Sequence, residues 1–154
     1  MRKPKTACIF PVFYNSNEWL YLLFHRKDRP DIKLISFWQG ITGGVEDDES
    51  IYETAKRELI EETNIHEANI IFINYTYSIP IQKEWISFYP TGSTEIKEHV
   101  FVAILEKKVT PQLSEEHDKW KWCKYEEALE LLYFSDNKEA IKKCHYYLNK
   151  GYVN

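Results

Sequence analysis

Apolar residues divide the chain into segments of strand length that polar turns separate. A segment at residues 119–123 alternates between basic and apolar residues, which is typical of a half-exposed strand. Pro11 lies inside the first apolar segment and predicts an edge position or a bulge, because proline cannot donate to a sheet ladder. The polar residues 15–17 after that segment predict a hairpin. Four segments rich in aliphatic and aromatic residues predict strands, and they cover residues 5–14, 18–26, 69–77 and 96–106.

One helical segment carries acidic residues on its apolar side. It follows Ser50, whose hydroxyl can cap a helix, and Ile51 and Leu59 belong to its apolar stripe. At about 100° per residue, Glu58 and Glu62 fall within roughly 20° of Ile51, and Glu61 lies at the edge of the stripe. The pattern therefore predicts two partly buried carboxylates one helical turn apart.

The charge around this helix predicts a bound cation. A partly buried carboxylate is costly unless it is paired or bound to a cation. Between Glu46 and Glu62 there are eight acidic residues and only two basic ones, Lys56 and Arg57. Oxygen ligands suit Mg²⁺ or Mn²⁺ better than Zn²⁺. We therefore expect a divalent metal site at the helix.

The remaining pattern completes the prediction of the fold. Two more helices are predicted over residues 125–132 and 136–149, the second capped by Asp136 or Asn137. Strands mixed with helices and hairpins favour an α+β or α/β chain with a mixed β-sheet between helices. At 154 residues, the chain is expected to form a single domain over residues 1–154.

Composition narrows the classes of partner and compartment. The net charge is −4, whereas a general nucleic-acid binder is more often basic, so no nucleic-acid polymer is expected. The three cysteines, Cys8, Cys123 and Cys144, form no C-x-x-C pair, which favours a reducing cytoplasm over a disulfide framework. No apolar run is long enough for a membrane span, and no signal peptide is expected.

The stretch around the acidic helix resembles a known motif. The Nudix box reads G-x5-E-x7-R-E-U-x-E-E-x-G-U, where U is a bulky aliphatic residue. The one departure is Asn64 where the family has glycine, and asparagine is the next most tolerant residue at a left-handed helix end. The matching residues are Gly43, Glu49, Arg57, Glu58, Leu59, Glu61, Glu62 and Ile65.

Two further stretches resemble a narrower group. The approach to the box reads W-Q-G-I-T-G-G from Trp38, which is similar to the W-Q-x-x-T-G of dihydroneopterin triphosphate pyrophosphatases. Glu116-His117, Trp122 five residues later and the segment from Phe134 look like the C-terminal half of those enzymes. The resemblance covers nearly the whole chain and implies the Nudix fold, an α/β/α sandwich with a mixed sheet.

The resemblance implies hydrolysis of a phosphoanhydride with Mg²⁺ or Mn²⁺ as cofactor. Glu58 and Glu116 are the two candidates for the general base. The alternative interpretation of Glu116 is a solvated acidic residue of the loop without a catalytic role. Arg57 is expected to orient a box glutamate rather than to contact substrate. The implied catalytic residues are Arg57, Glu58, Glu61 and Glu116. The implied metal ligands are Glu58, Glu61, Glu62, Glu116 and the backbone carbonyl of Thr42.

Substrate binding is expected to involve Arg26, Trp38, Gln39 and Gly43. Arg26 is either a phosphate contact or a solvated strand end. Trp38 either stacks on a planar ring or fills the core, and Gln39 either bonds a ring edge or supports the turn. His117 is either a proton carrier or a structural residue.

Three functional hypotheses stay open at this point. The leading one is a pyrophosphohydrolase that converts a nucleoside or dihydroneopterin triphosphate, a small-molecule partner, into a monophosphate and pyrophosphate. The second is a hydrolase of diadenosine polyphosphates, nucleotide sugars or oxidised nucleotides. The box does not distinguish it from the first, because the box acts only on the diphosphate. The third is a Nudix-fold binding module. Such a module requires a degraded box, whereas the arginine and the glutamates of the box are all present in this chain. The chain is expected to act as a monomer or homodimer.

Overall fold

The computed structural model describes residues 2–152, and its elements follow the predicted order closely. Short 3-10 helices cover Pro30–Ile32 and Ile86–Phe88, and a wider helical turn covers Leu148–Tyr152. The strands are β1 (Lys5–Asn15), β2 (Glu18–Arg26), β3 (Phe37–Gln39), β4 (Ile41–Gly44), β5 (Asn69–Pro80), β6 (Glu95–Leu105) and β7 (His117–Lys124). The helices are α1 (Ile51–Thr63), α2 (Tyr125–Leu131) and α3 (Ser135–Tyr147).

All seven strands join one mixed sheet. The order is β3-β2-β1-β6-β5, with β4 paired to β1 and β7 paired to β2. The pair β1–β6 is parallel, and the other pairs are antiparallel. The predicted hairpin of β1 and β2 is confirmed, with Asn15 opposite Glu18. This sheet places the start of β1, the start of β6 and the end of β4 side by side.

Two apolar cores lie on opposite faces of the sheet. One core joins α1 to the sheet through Ala55 and Leu59, which meet Ile9 and Phe101. The other core joins α2 and α3 to the sheet through residues such as Ile141. The layers are therefore α1, sheet and α2–α3, and the predicted α/β/α sandwich is confirmed. No helix within residues 2–152 is both long and apolar enough to cross a membrane.

The prediction for Pro11 is wrong, because β1 is a central strand. It lies between β2 and β6, and Pro11 is in register with Ala103 of β6. On the other side, β1 pairs with β4 up to Ile9 and with β2 from Val12 onward. Pro11 therefore sits where β1 exchanges one neighbour for another, and the donor it lacks is not needed there.

Local signals define both ends of α1. Ser50 accepts from the backbone N–H of Glu53, and the Glu53 side chain accepts from the backbone N–H of Ser50, which forms a capping box. At the other end, Asn64 is left-handed with φ 59°, as predicted. The predicted cap of α3 is wrong: the helix already begins at Ser135, and its cap position, Phe134, makes no side-chain bond.

The left-handed end of α1 yields a stability prediction. Asn64→Ala should lower the free energy of unfolding by about 1 kcal/mol, because alanine has the same Cβ but lacks the local polar contact by which asparagine tolerates this conformation. Asn64→Gly should preserve or raise stability, because glycine adopts this conformation without a penalty. Urea denaturation measures both. Asn17→Ala, in a turn residue without positive φ, is the control, and an equal loss in all three variants would contradict the prediction.

Candidate active site

Gly43 of β4 lies against Glu58 of α1. Gly43 pairs with Ala7 of β1, so its backbone position is fixed by the sheet. A Cβ added at Gly43 would overlap the carboxyl group of Glu58. Glu58 is buried, and its side chain packs directly on this glycine. A glycine at this position therefore gives the helix carboxylate its place against β4.

Arg57 donates hydrogen bonds to carboxylates of the loop after β4 and of α1. Its Nε and Nη2 donate to the two oxygens of Glu49 over 2.5 and 3.0 Å, a bidentate pair. Its Nη1 donates to Glu58 Oε1 over 2.7 Å and to Glu61 Oε2 over 3.2 Å. Nη2 also donates to the backbone carbonyl of Gly44 over 2.9 Å. One guanidinium thus links the loop after β4 to two successive turns of α1.

The pKa values of Glu49 and Glu58 show that Arg57 compensates their charges unequally. The hydrogen bonds from Arg57 lower the pKa of Glu49 to about 2. Burial raises the pKa of Glu58 to about 7, although the bond from Arg57 opposes the rise. The neighbours Glu61 and Glu62 raise it further. Glu58 is therefore a carboxyl group whose charge Arg57 only partly compensates, and a proton or a cation would stabilise it.

Glu62 lies in a polar cluster under β7. It is 7% exposed, and the Ser114 hydroxyl donates to its Oε2. His117 Nδ1 faces the same oxygen over 3.4 Å, within ion-pair range but outside hydrogen-bond geometry. On the other side of the ring, His117 Nε2 accepts from the Gln39 amide over 3.1 Å. Gln39 therefore orients the histidine that faces Glu62.

Glu116 completes the acidic side of the site. Its Oε1 lies 3.3 Å from Nη2 of Arg26, at the end of β2. Burial raises the pKa of Glu116, and the neighbouring Glu62 carboxylate adds to the rise. Burial works in the same direction on Glu62, but its contacts with His117 and Ser114 outweigh burial and keep its pKa low. Within this pair, Glu62 therefore has the lower pKa.

A cavity of about 960 Å³ opens from the box loop across the strand ends. Thr42, Gly43, Glu58 and Glu116 line one part of it. Basic residues of the lining are Arg2, Lys3, Arg26 and Arg29. The segment between β5 and β6 adds the aromatic side chains of Trp85, Phe88 and Tyr89. Carboxylates, cations and aromatic rings therefore face one space that is large enough for a small ligand.

Trp38 and Gln39, two successive residues of β3, point in different directions. Trp38 packs against the core under α2 and α3, with its ring 5.4 Å from that of His25. It is not part of the cavity lining. Gln39 is buried on the face of α1. The geometry thus favours the core-filling alternative for Trp38 and a supporting role for Gln39, because successive strand residues alternate between faces.

Sequence reasoning missed several residues of the cavity. Glu98 of β6 and the aromatic Trp85 and Phe88 carry no motif and lie far from the box in sequence. Ser114, which donates to Glu62 outside the cavity lining, was missed as well. For Glu98 the signal is only that a polar residue interrupts an apolar strand, and this signal has many structural causes. The place of Glu98 beside Thr6 depends on the pairing of β1 with β6.

Comparison with known proteins agrees with this geometry. A family model, NUDIX domain, matches residues 2–144. The dihydroneopterin triphosphate diphosphatase of Haemophilus influenzae is 32% identical over 147 residues, which cover 93% of this chain and 89% of that protein. The structure of the dihydroneopterin triphosphate pyrophosphohydrolase of Escherichia coli superimposes with a TM-score of 0.76 at 27% identity, covering 94% and 97% of the two chains. The mouse asymmetrical bis(5'-nucleosyl)-tetraphosphatase is 26% identical over 74% of either chain.

The chain belongs to the NUDIX family, and it is a hydrolase that acts on acid anhydrides. The box residues described above lie within the matched range. The family fold also agrees with the observed mixed sheet between helices.

The Arg57 cluster yields a pH-dependent prediction. Arg57→Lys should lower the free energy of unfolding by about 1–3 kcal/mol at neutral pH, because an ammonium cannot reproduce the bidentate pair. A depressed carboxyl pKa contributes stability above the ordinary value of 4.5, and this contribution is lost as the pH falls toward about 2. The difference between wild type and variant should therefore shrink over that range.

Denaturation at several pH values measures this difference. Lys56→Arg is the matched control, since Lys56 is exposed on the same helix. A constant difference from neutral pH down to pH 2 would contradict the assignment of the effect to Glu49.

Proposed function

We propose that the chain is a Mg²⁺-dependent pyrophosphohydrolase that cleaves a nucleoside or dihydroneopterin triphosphate into a monophosphate and pyrophosphate. The observation that carries the proposal is the cavity, which joins Glu58 of the box and Glu116 to basic and aromatic side chains. Such a lining suits a ligand with phosphates at one end and a flat ring at the other. The relatives named as dihydroneopterin triphosphate diphosphatases support the same substrate class.

The donor chemistry of the site fits a divalent cation. Glu58 and Glu62 are buried carboxylates one turn apart, and Arg57 forms ion pairs with Glu58 but not with Glu62. Within residues 2–152, no group of three or more acidic, histidine or cysteine side chains is arranged so that it could hold a metal ion. We propose that Glu58, Glu61, Glu62, Glu116 and the Thr42 carbonyl would hold Mg²⁺ or Mn²⁺. The bound ion would neutralise phosphate charge and polarise the attacking water.

The chain's own residues supply the other roles in this proposal. Arg26, Arg29 and Lys3 line the cavity and can bind phosphate oxygens. Arg57 fixes the position of Glu58 through a direct bond and through the loop carbonyl of Gly44.

Two candidates for the general base stay open. The pKa of Glu58 lies near 7, which suits a group that takes a proton at neutral pH. The pKa of Glu116 is also raised, and its ion pair with Arg26 holds it at the edge of the cavity.

The second candidate function is cleavage of a dinucleoside polyphosphate. The mouse relative, named as an asymmetrical bis(5'-nucleosyl)-tetraphosphatase, supports it at lower identity. The cavity, with one group of cations and one group of aromatic residues, favours a substrate with a single ring. We further propose a cytoplasmic location, in agreement with the three free, buried cysteines, and a monomer or homodimer as the active form.

Removal of metal tests the first part of the proposal. Turnover of triphosphates should require Mg²⁺ or Mn²⁺ and should stop in excess EDTA. Glu62→Gln should reduce kcat by about a hundredfold or more, because it removes one charge of the ion clamp while leaving the shape of the side chain unchanged. Glu67→Gln, at an exposed position after α1, is the control. Undiminished turnover in EDTA would exclude the metal-dependent mechanism.

The products distinguish the two candidate functions. A triphosphate should give pyrophosphate and a monophosphate, detected by phosphorus NMR or an enzyme-coupled pyrophosphate assay. We expect dihydroneopterin triphosphate or a deoxynucleoside triphosphate to have the highest kcat/KM in a panel that includes diadenosine tetraphosphate, ADP-ribose and a nucleotide sugar. The proposal fails if diadenosine tetraphosphate or a nucleotide sugar exceeds every triphosphate by about tenfold, a difference of about 1.4 kcal/mol.

A further inference from the structure

Glu98 is a buried carboxyl group that the box chemistry does not use. It lies in β6, is 5% exposed and is the register partner of Thr6 in the parallel pair with β1. Both side chains line the same cavity as the box residues. Because Cys8 and Val100, two positions further along, belong to the core under α2 and α3, Glu98 and Thr6 point to that side of the sheet. Glu98 thus lies on the face of the sheet opposite α1.

The surroundings of Glu98 supply few donors. The Tyr77 hydroxyl donates to Oε1 over 3.0 Å and is itself held by the Asn137 amide, which donates to it over 3.3 Å. Within the described residues, no cationic side chain forms an ion pair with Glu98. Burial raises the pKa of this carboxyl group to about 7, although its contacts with the side chains of Tyr77, Cys8 and Thr6 oppose the rise. A ligand that brought N–H donors would satisfy the carboxylate.

The neighbouring Thr6 belongs to the same polar wall. Its hydroxyl is buried and lies beside the Glu98 carboxyl group, whose charged form it helps to stabilise. Each oxygen of a carboxylate can accept more than one hydrogen bond, so Glu98 keeps unused acceptor capacity. Glu98 and Thr6 therefore line one wall of the cavity, and the aromatic Trp85 and Phe88 line it as well. This combination suits the edge and the face of a flat heterocycle.

We infer that Glu98 is a specificity-determining residue that accepts two N–H donors from the edge of a 2-amino-4-oxopyrimidine ring, the edge that guanine and pterin share. An ionised carboxylate only accepts, so it matches two adjacent donors. Adenine and cytosine place a donor next to an acceptor on the corresponding edge, and uracil and thymine place one donor between two acceptors. A phosphate group is repelled by the same charge. The inference deepens the proposed function and rests on it.

The test compares dGTP with dITP, which lacks only the 2-amino group. Wild type should prefer dGTP by about tenfold or more in kcat/KM, chiefly through KM, because the lost donor leaves a buried acceptor unpaired. Glu98→Gln should remove most of this preference, since the glutamine NH₂ would face the ring NH₂. Glu95→Gln, at the exposed start of the same strand, is the matched control and should keep the preference.

The outcomes separate this inference from the proposed function. Wild type that turns over both nucleotides equally would overturn the role of Glu98 and leave the proposed function intact. Equal preference for dGTP in wild type and Glu98→Gln would also overturn it. The wild-type ratio needs no variant, and thermal unfolding verifies that Glu98→Gln is folded, as expected when a buried charge is removed.

Calorimetry covers the case in which no triphosphate is cleaved and the proposed function fails. Binding of GMP and IMP to wild type and Glu98→Gln would then be measured directly. Tighter binding of GMP to wild type alone would support the inference, and equal binding of GMP and IMP to wild type would overturn it.

Discussion

The guanidinium of Arg57 is the interaction on which the acidic site depends. It bonds Glu49, Glu58, Glu61 and the carbonyl of Gly44, so a single side chain fixes the loop after β4 relative to α1. A planar group with five donors can make such bonds in several directions at once, whereas a lysine cannot. The pairing of β4 with β1 places Gly43 under the Glu58 carboxyl group. The shape of the site therefore depends on the guanidinium of Arg57 and on the absence of a Cβ at Gly43.

In the same arrangement, the positive charge of Arg57 does not balance the negative charges of the surrounding carboxylates. Arg57 satisfies Glu49 fully, which is why the Glu49 pKa falls, but it compensates Glu58 only in part. Glu62 depends on Ser114 and His117, and His117 depends on Gln39. Several of these partners come from β3 and the segment before β7, at the far edge of the sheet. A site with this excess of buried negative charge is suited to a cation and to the phosphates that a cation attracts.

The sheet separates two kinds of recognition within one cavity. The box carboxylates belong to the α1 face, whereas Glu98 and Thr6 point to the face of α2 and α3. The cavity reaches both because it lies across the ends of β1, β4 and β6. Alternation along β1 thus assigns Ala7 to the α1 core and Thr6 to the other wall. In the proposed function, this division would assign the anhydride to the α1 face and the ring to the opposite wall.

The sequence alone determined the five longer strands and the three helices, because these depend on local periodicity and local end signals, whereas the short strands β3 and β4 were not predicted. The positions of Glu58 and Glu62 on α1 follow from 100° per residue, and the turn at Asn64 follows from its tolerance of the left-handed conformation. Tertiary structure decided what depends on strand pairing: the central place of Pro11, the packing of Trp38 away from the cavity and the exposure of Glu98 to it. Strand order and register join residues that are distant in sequence, and no local pattern encodes which strands become neighbours.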